Sequence, residues 1–450
     1  MTNLSVRELA RQTPASRDRY VDFLRLASIV VVVLGHWLML VVVWHGSAFH
    51  AGNVIGSVPG LWLATWLLQV MPVFFFVGGF ANLATIDALR RKGQGSPEFI
   101  ASRVARLLKP VLVLLAVWVP AIIAIEFSGL VDPHALRSAT KLVCQPLWFI
   151  GVHLAVTALA PAMRELHARA PVPTAAALFA GAAVVDTARF GVALESVGYL
   201  NVLLVWLFAQ QLGFFYADGA LLRLRCSSLV AAAFGALGAL VLLTTVGPYP
   251  HSMVGLPGDR ISNMSPPTVC LAVLAVFQVA LVMLCREAAL RRLVGVRVWR
   301  TVVAGNGVIM TVFLWHLTAA LLALVAWHVA GLPQPEGASA LWWSTRPLWV
   351  ACACVPLAGL VALFGRFERP RPARYVRGKR ARLGVAAGIT MLSITVLGIA
   401  GTNLPDLLAD RRVDLALVAL TPVELTAVGI IGLTLVRRSV RVTRVARTPV

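Results

Sequence analysis

Apolar residues in this chain fall into long runs separated by short polar breaks. Runs of the length needed to cross a bilayer as a helix, about 20 residues each, occupy 21–44, 61–86, 107–126, 147–163, 173–189, 198–216, 228–246, 268–285, 304–330, 347–365, 383–402 and 413–436. The segments between them are short, the longest at roughly 127–146 and 247–267, too small for separate domains. The pattern predicts an all-α polytopic membrane protein of about twelve spans. Its sharpest boundary is the basic, proline-containing stretch from Gly365 to Arg380. The organisation expected is a ten-span membrane domain over 1–366, a basic linker over 367–382, and a two-span extension with a basic tail over 383–450.

Composition agrees with that solvent. Hydrophobic residues make up 59% of the chain and charged residues 13%, and the mean hydropathy is +0.83. A soluble domain is nearer 45–50% apolar and 25% charged. The formal charge of +21 is distributed by topology. With the N-terminus in the cytoplasm, most of the 40 Lys and Arg residues fall on cytoplasmic segments, so both termini are placed inside a plasma membrane with an anionic inner leaflet. Nucleic acid is not needed to explain the charge. The polar start with Arg7, Arg11, Arg17 and Arg19 imitates a signal peptide, but the apolar run behind it is too long and has no small-residue cleavage site. The six cysteines show neither metal-ligand spacing nor a disulfide framework, and no metal is expected.

Chemistry enters through polar residues inside the spans. The first run holds Arg25 and His36. Eleven residues make three helical turns plus about 20°, so both side chains leave one face, roughly 16 Å apart along the axis. An arginine inside a span costs roughly 2.5–3.5 kcal/mol on insertion scales and is by default functional. Asp22 flanks that face. Arg103, Arg106 and Lys109, spaced three apart at the expected start of the third span, form a basic helical stripe, read either as a phosphate-holding site or as positive-inside anchoring. His316 lies ten residues beyond Asn306, roughly 15 Å into its span. It is either a catalytic or substrate-orienting group or a helix-packing hydrogen bonder. Trp148, at the outer start of the fourth span, is an interfacial anchor or a stacking surface for a sugar. Gln69, Asn82 and Asp87 flank the glycine-containing second span and read as packing residues.

Five strings then carry a resemblance: Arg25 and His36 preceded by Asp22, the run Met71-PVFFFVGG-Phe80, the stripe Arg103-VARLLK-Pro110, the run Pro146-LWFIGVH-Leu154, and Thr311-VFLWH-Leu317. In that order and topological position the chain resembles the acyltransferase 3 family of integral membrane acyltransferases over about residues 17–366. The resemblance implies ten spans and transfer of an acyl group, commonly acetyl from cytoplasmic acyl-CoA, to carbohydrate or lipid-linked acceptors. It implies His36 and His316 as catalytic, Arg25, Arg103 and Arg106 as donor-binding, and Asp22 and Trp148 as substrate contacts. Two departures stand out. Gly78-Gly79 replaces the family's usual serine-glycine pair, and Phe313 and Trp315 precede His316 where a tyrosine is common.

The leading function is thus an acyl-CoA-dependent O-acyltransferase acting on an envelope glycan or lipid-linked carbohydrate. A twelve-span secondary transporter is the alternative, disfavoured by the absence of matching halves and of an acidic-glycine-arginine motif in the 87–106 loop. A non-catalytic protein on the same fold is disfavoured by retention of Arg25 and His36.

Overall fold

The computed structural model describes residues 6–14, 17–45, 48–191, 195–256, 258–368, 374–377, 381–401, 405–406, 413–415 and 418–443. Sixteen α-helices are seen among them: α1 (Val6–Arg11), α2 (Arg19–Met39), α3 (Ala64–Leu68), α4 (Met71–Arg91), α5 (Ser96–Ser128), α6 (Pro133–Cys144), α7 (Leu147–Arg169), α8 (Pro171–Gly191), α9 (Asn201–Ala217), α10 (Cys226–Thr245), α11 (Val269–Leu293), α12 (Val296–Asn306), α13 (Ile309–Val329), α14 (Ala340–Phe364), α15 (Ala381–Gly401) and α16 (Pro422–Ser439). Eleven segments among the described residues are long and apolar enough to cross a membrane, so the protein is an all-α polytopic membrane protein. They coincide with the first eleven runs of the sequence. The twelfth run also forms a helix, α16, with Glu424 in its first turn and Arg437 and Arg438 in its last. Residues 413–415 and 418–420, read as part of that run, form a small antiparallel hairpin instead.

Three other boundaries differ from the hydropathy pattern. The first run ends as a helix at Met39, and the valine-rich Leu40–His45 continues as strand β1 paired with β2, Ala48–Asn53; β-branched residues favour that geometry. The second run is broken at Gln69 and Val70. Pro72 lacks an N–H and its ring clashes with the carbonyl four residues back, which stops a continuous helix. Gln278 on α11 answers the freed carbonyls: its Nε2 donates to Trp66 O at 3.1 Å, Gln69 O at 3.0 Å and Leu67 O at 3.4 Å. The third run begins well before its apolar part. Gly95 N–H donates to the Glu98 carboxylate at 2.8 Å and fixes the start of α5, whose 33 residues span about 50 Å. Arg103 and Arg106 therefore lie within α5 ahead of its apolar run, and Lys109 at the start of that run.

The chain divides into two compact units. The first comprises Met1–Met39, Asn53–Ala84 and Ala162–Ile309; the second comprises Leu40–Gly52, Thr85–Pro161 and Met310–Val450. In the first unit α4 and α9 touch through glycines: a Cβ on Gly79 would overlap the Gln210 carbonyl, and one on Gly213 the Phe76 carbonyl. Asn82 Nδ2 donates to Gln210 Oε1 at 2.9 Å across this contact, and Phe75 stacks on Trp206 at 4.8 Å. The 247–267 segment is a folded connector. Asn263 Nδ2 donates to Pro250 O and Ser252 O, Trp66 Nε1 donates to His251 O at 2.8 Å, and Met253 N–H donates to Thr65 Oγ1 at 2.9 Å.

In the second unit α15 packs on α16 and against α5, with Leu397 seated on Gly151 of α7. Asp132 caps α6 through the N–H groups of His134 and Ala135, at 2.8 and 3.2 Å, an element the sequence pattern leaves as loop.

Candidate functional site

The sequence-predicted residues divide between the two units: Asp22, Arg25 and His36 belong to the first, and Arg103, Arg106, Trp148 and His316 to the second. In the first unit α2 is anchored at its polar start. Arg19 donates to Leu293 O at 3.1 Å and lies 4.9 Å over the Trp299 ring. Tyr216 donates its hydroxyl proton to Asp18 at 2.7 Å, and the Tyr20 hydroxyl donates to the Val282 carbonyl. These contacts fix the rotation of α2 about its axis and hence the direction of everything it carries.

Asp22 is buried and bracketed by two arginines. Arg17 Nε lies 2.5 Å from Oδ2 and Arg25 Nη1 lies 3.7 Å from Oδ1. The carboxylate thereby holds Arg25 beside it. Asn306 of α12 donates to the Asp22 carbonyl at 2.9 Å, and Gly305 leaves room for Leu26, since a Cβ there would stand 2.6 Å from Leu26 Cδ1. The α12 helix is thus a brace behind the arginine. His36 sits in the last turn of α2, eleven residues from Arg25 and on the same face, as its spacing requires.

The second unit places a second imidazole. His316 is fully buried, and its Nδ1 lies 2.6 Å from the Phe313 carbonyl. A carbonyl only accepts, so in the neutral ring Nδ1 carries the proton and Nε2 the lone pair. Aromatic rings continue from it: Phe313 is 6.0 Å from His316, Phe149 of α7 meets Phe313 edge-on at 5.1 Å, and His153 stacks on Phe149 at 5.5 Å. Trp148 stands edge-on to Phe149 at 6.2 Å. Trp118 of α5 donates to Thr318 Oγ1 at 3.2 Å and ties α5 to the histidine-bearing helix. The aromatic surroundings of His316 were legible in the sequence; its link to His153 was not, because it runs through a second helix.

The basic stripe is present on α5, with different duties for its members. Arg103 donates to Thr85 Oγ1 at 2.8 Å and lies 5.5 Å over the Phe99 ring. Arg106 is exposed. Lys109 lies 6.0 Å from the Phe367 ring. One residue that sequence reasoning missed joins them. Glu368 accepts the N–H groups of Met310 and Thr311 at 3.0 and 2.9 Å and the Thr311 hydroxyl at 2.9 Å, capping the N-terminus of α13. Burial pushes its carboxyl up, while those donors and nearby Arg106 pull it down. The available signal was its isolation: Glu368 is the one acidic residue between Gly365 and Arg380.

Each unit therefore offers an imidazole, His36 in the last turn of α2 and the fully buried His316 on α13, and arginines, on α2 and on α5. Cations suit a phosphate-rich handle, and a neutral imidazole suits proton transfer to or from a hydroxyl.

Compared with curated proteins and with solved structures, the chain matches none. A family model described as an acyltransferase domain matches residues 18–366, the same stretch that carries Asp22, Arg25, His36, Arg103 and His316, and the chain belongs to the acyltransferase 3 family.

Proposed function

We propose that this protein is an integral membrane O-acyltransferase that moves an acyl group, acetyl in the simplest case, from cytoplasmic acyl-CoA to a hydroxyl of an envelope glycan or lipid-linked carbohydrate. The observation that carries the reading is the Arg25 and His36 pair on one face of α2, with Arg25 held by Asp22 at 3.7 Å, in a chain of this family. The orientation it requires, with the N-terminus in the cytoplasm of a plasma membrane, is supported by the basic last turns of α4 (Arg90, Arg91) and α11 (Arg291, Arg292), the ends of the second and eighth apolar spans in chain order, where the positive-inside rule expects cytoplasmic charge.

Arg25, Arg103 and Arg106 each have the charge and planar donors that suit a coenzyme A phosphate. Acting as base, His36 takes the proton of the acceptor hydroxyl as its oxygen attacks the thioester carbonyl; the C–S bond then breaks and the departing thiolate receives that proton. Acting as carrier, His36 attacks the carbonyl itself, releases coenzyme A and passes the acyl group to the acceptor. His316, with its lone pair on Nε2, orients the hydroxyl or shares the proton transfer. Trp148 supplies an aromatic face for the acceptor.

The test is binding and transfer in nanodiscs. His36→Ala is expected to retain acetyl-CoA binding and lose transfer, and Arg25→Ala to weaken both. Wild-type turnover in His36→Ala, or no acyl-CoA binding by the unaltered protein, overturns the reading. Under the carrier route, acid-quenched wild type mixed with radiolabelled acetyl-CoA retains label that His36→Ala lacks.

A further inference from the structure

The start of α2 meets the C-terminal parts of α9 and α11 within the first unit. Asp18 caps α2: its Oδ1 accepts the N–H groups of Tyr20 and Val21 at 2.9 and 3.0 Å, and its Oδ2 accepts the hydroxyl of Tyr216 at 2.7 Å. The Tyr216 hydroxyl in turn accepts the Nε–H of Arg286 at 3.0 Å, with the guanidinium 5.8 Å from its ring. Phe76 and Phe80 stand edge-on to Tyr216, each at 5.5 Å, and the tyrosine is buried, so the hydroxyl is fixed in place. Arg286 is half-buried and makes no other hydrogen bond among the described residues. A guanidinium has five N–H donors, so the four on its terminal nitrogens remain for a ligand.

This relay shares a face with the residues already described. Asp18 precedes Arg25 by seven residues, two helical turns less about 20°, so it stands on the side of α2 that carries Arg25 and His36, about 10 Å from Arg25 along the axis and on the far side of it from His36. The order along that face is Arg286 with its relay, then Arg25, then His36. Positive charge is in excess here. Arg17, Arg19, Arg25 and Arg286 all touch the start of α2 or its relay, against the carboxylates of Asp18 and Asp22, and Asp18 is spent on the cap and on Tyr216. A polyanion whose charges are spaced along its length suits such a row. Coenzyme A has that order: a 3′-phosphate on the ribose, a pyrophosphate, the pantetheine arm and the thioester.

We propose that Arg286, positioned by Tyr216, binds the 3′-phosphate of coenzyme A and so makes the protein select free acyl-CoA over carriers that share its phosphopantetheine arm and lack that group. The inference rests on the acyltransferase reading, which supplies the donor; the residue and the discrimination go beyond it. A phosphate monoester is the most highly charged group on the donor, and its oxygens match the forked donors of a guanidinium better than the point charge of an ammonium. Because Nε is engaged by the Tyr216 hydroxyl, the two terminal nitrogens form the free edge of the fork. With Arg286 on the 3′-phosphate and Arg25 on the pyrophosphate, the arm runs along α2 toward His36, and the three residues read the donor from its nucleotide end to its reacting end. Tyr216 touches no part of the donor in this arrangement and is a positioning residue.

The test is calorimetric titration of the full chain in phosphatidylcholine nanodiscs with acetyl-CoA and with 3′-dephospho-acetyl-CoA. The unaltered protein is expected to bind acetyl-CoA at least tenfold more tightly than the dephospho form. Arg286→Gln should bring acetyl-CoA down to the affinity of the dephospho form and leave the latter unchanged, and Arg286→Lys should keep part of the preference. Tyr216→Phe, which lacks the hydroxyl that holds Nε, should reduce the preference a few-fold, again with the dephospho form unaltered, a split that a merely structural role would not produce. Equal affinity of the unaltered protein for the two donors, or an undiminished preference in Arg286→Gln, overturns the proposal. Loss of both donors in Arg286→Gln and Arg286→Lys alike makes Arg286 part of the framework and overturns it as well. A preference abolished when phosphatidylglycerol replaces phosphatidylcholine overturns it in favour of a lipid headgroup. Acetyl-CoA binding without a preference would fail this site alone; binding of neither donor by the unaltered protein would fail the acyltransferase reading and the site with it.

Discussion

Glu368 caps α13 through Thr311, accepting both its backbone N–H and its hydroxyl at 2.9 Å. The first turn of a helix leaves four N–H groups without intrahelical partners, and on the helix that carries His316 two of them are answered by a residue 57 positions away in sequence. The cap joins the end of α14 to the start of α13 and so sets the axial position of the histidine.

Removing this cap should destabilise the fold. Glu368→Ala leaves the Met310 and Thr311 N–H groups to water or to nothing, a loss of about 1–3 kcal/mol, and Glu368→Gln should lose less because one acceptor oxygen remains. The wild-type carboxyl is raised by burial. A carboxyl whose pKa rises on folding binds more protons in the folded state, so its contribution is full below the unfolded pKa and declines as pH climbs through the raised value. Glutamine does not titrate. Thermal unfolding in detergent between about pH 4 and 7 should therefore show the wild-type midpoint falling relative to that of Glu368→Gln as pH rises; a difference moving the other way would contradict the assignment.

The contact between α4 and α9 gives a prediction about packing. Gly79→Leu places atoms where the Gln210 carbonyl lies, and neither backbone can withdraw without breaking the Asn82 to Gln210 hydrogen bond. Overpacking of this kind costs about 1–3 kcal/mol or more. The expected result is a lowered unfolding midpoint or loss of monodisperse protein, while Gly78→Ala, on the half-buried neighbour, should be mild. Equal behaviour of the two variants would count against the close approach.

How much of this was visible in the chain follows from the range of the forces involved. Span existence depends on local hydropathy, and eleven of the runs coincide with long apolar helices. Span ends depend on single residues meeting distant ones. The stop at Gln69 is set by Pro72 but made tolerable by Gln278, 209 positions away, and no local pattern announces that partner. Arg25 and His36 were legible because one helix carries both and its period fixes their faces. Asp22 was legible as a residue flanking that face; its engagement by Arg17 ahead of the helix was not. Glu368 was not legible: it reads as an exception in a basic stretch until the fold sets it against the first turn of α13.

The tautomer of His316 makes the third prediction. With Nδ1–H donated to the Phe313 carbonyl at 2.6 Å, only Nε2 can take a proton or orient a hydroxyl. Asparagine places its amide nitrogen near the Nδ1 position and has nothing at Nε2; glutamine reaches the Nε2 position and abandons Phe313. His316→Asn should therefore fold with a wild-type unfolding midpoint and lose transfer by about 10²-fold or more, the lower bound for a proton-transfer group. Retained turnover in His316→Asn, with its midpoint unchanged, would make this histidine a packing residue.

The last prediction separates holding a donor from turning it over. Asp22 touches Arg17 at 2.5 Å and Arg25 at 3.7 Å, but the Arg17 side chain is 49% exposed and that of Arg25 21%. Solvent screens the first pair, so its loss should change little. Arg17→Ala is accordingly expected to leave acetyl-CoA affinity within about twofold. Asp22→Asn keeps the shape and removes the charge that orients Arg25, at a cost of about 1 kcal/mol or less after screening, which corresponds to a rise of up to roughly fivefold in the dissociation constant for acetyl-CoA. Because Asp22 acts through Arg25 and not on the reacting atoms, KM for acetyl-CoA should rise with kcat nearly unchanged, and the effect should vanish in an Arg25→Ala background. A fall in kcat in Asp22→Asn that persists without Arg25 would instead place the carboxylate in the chemistry, in contact with the acceptor.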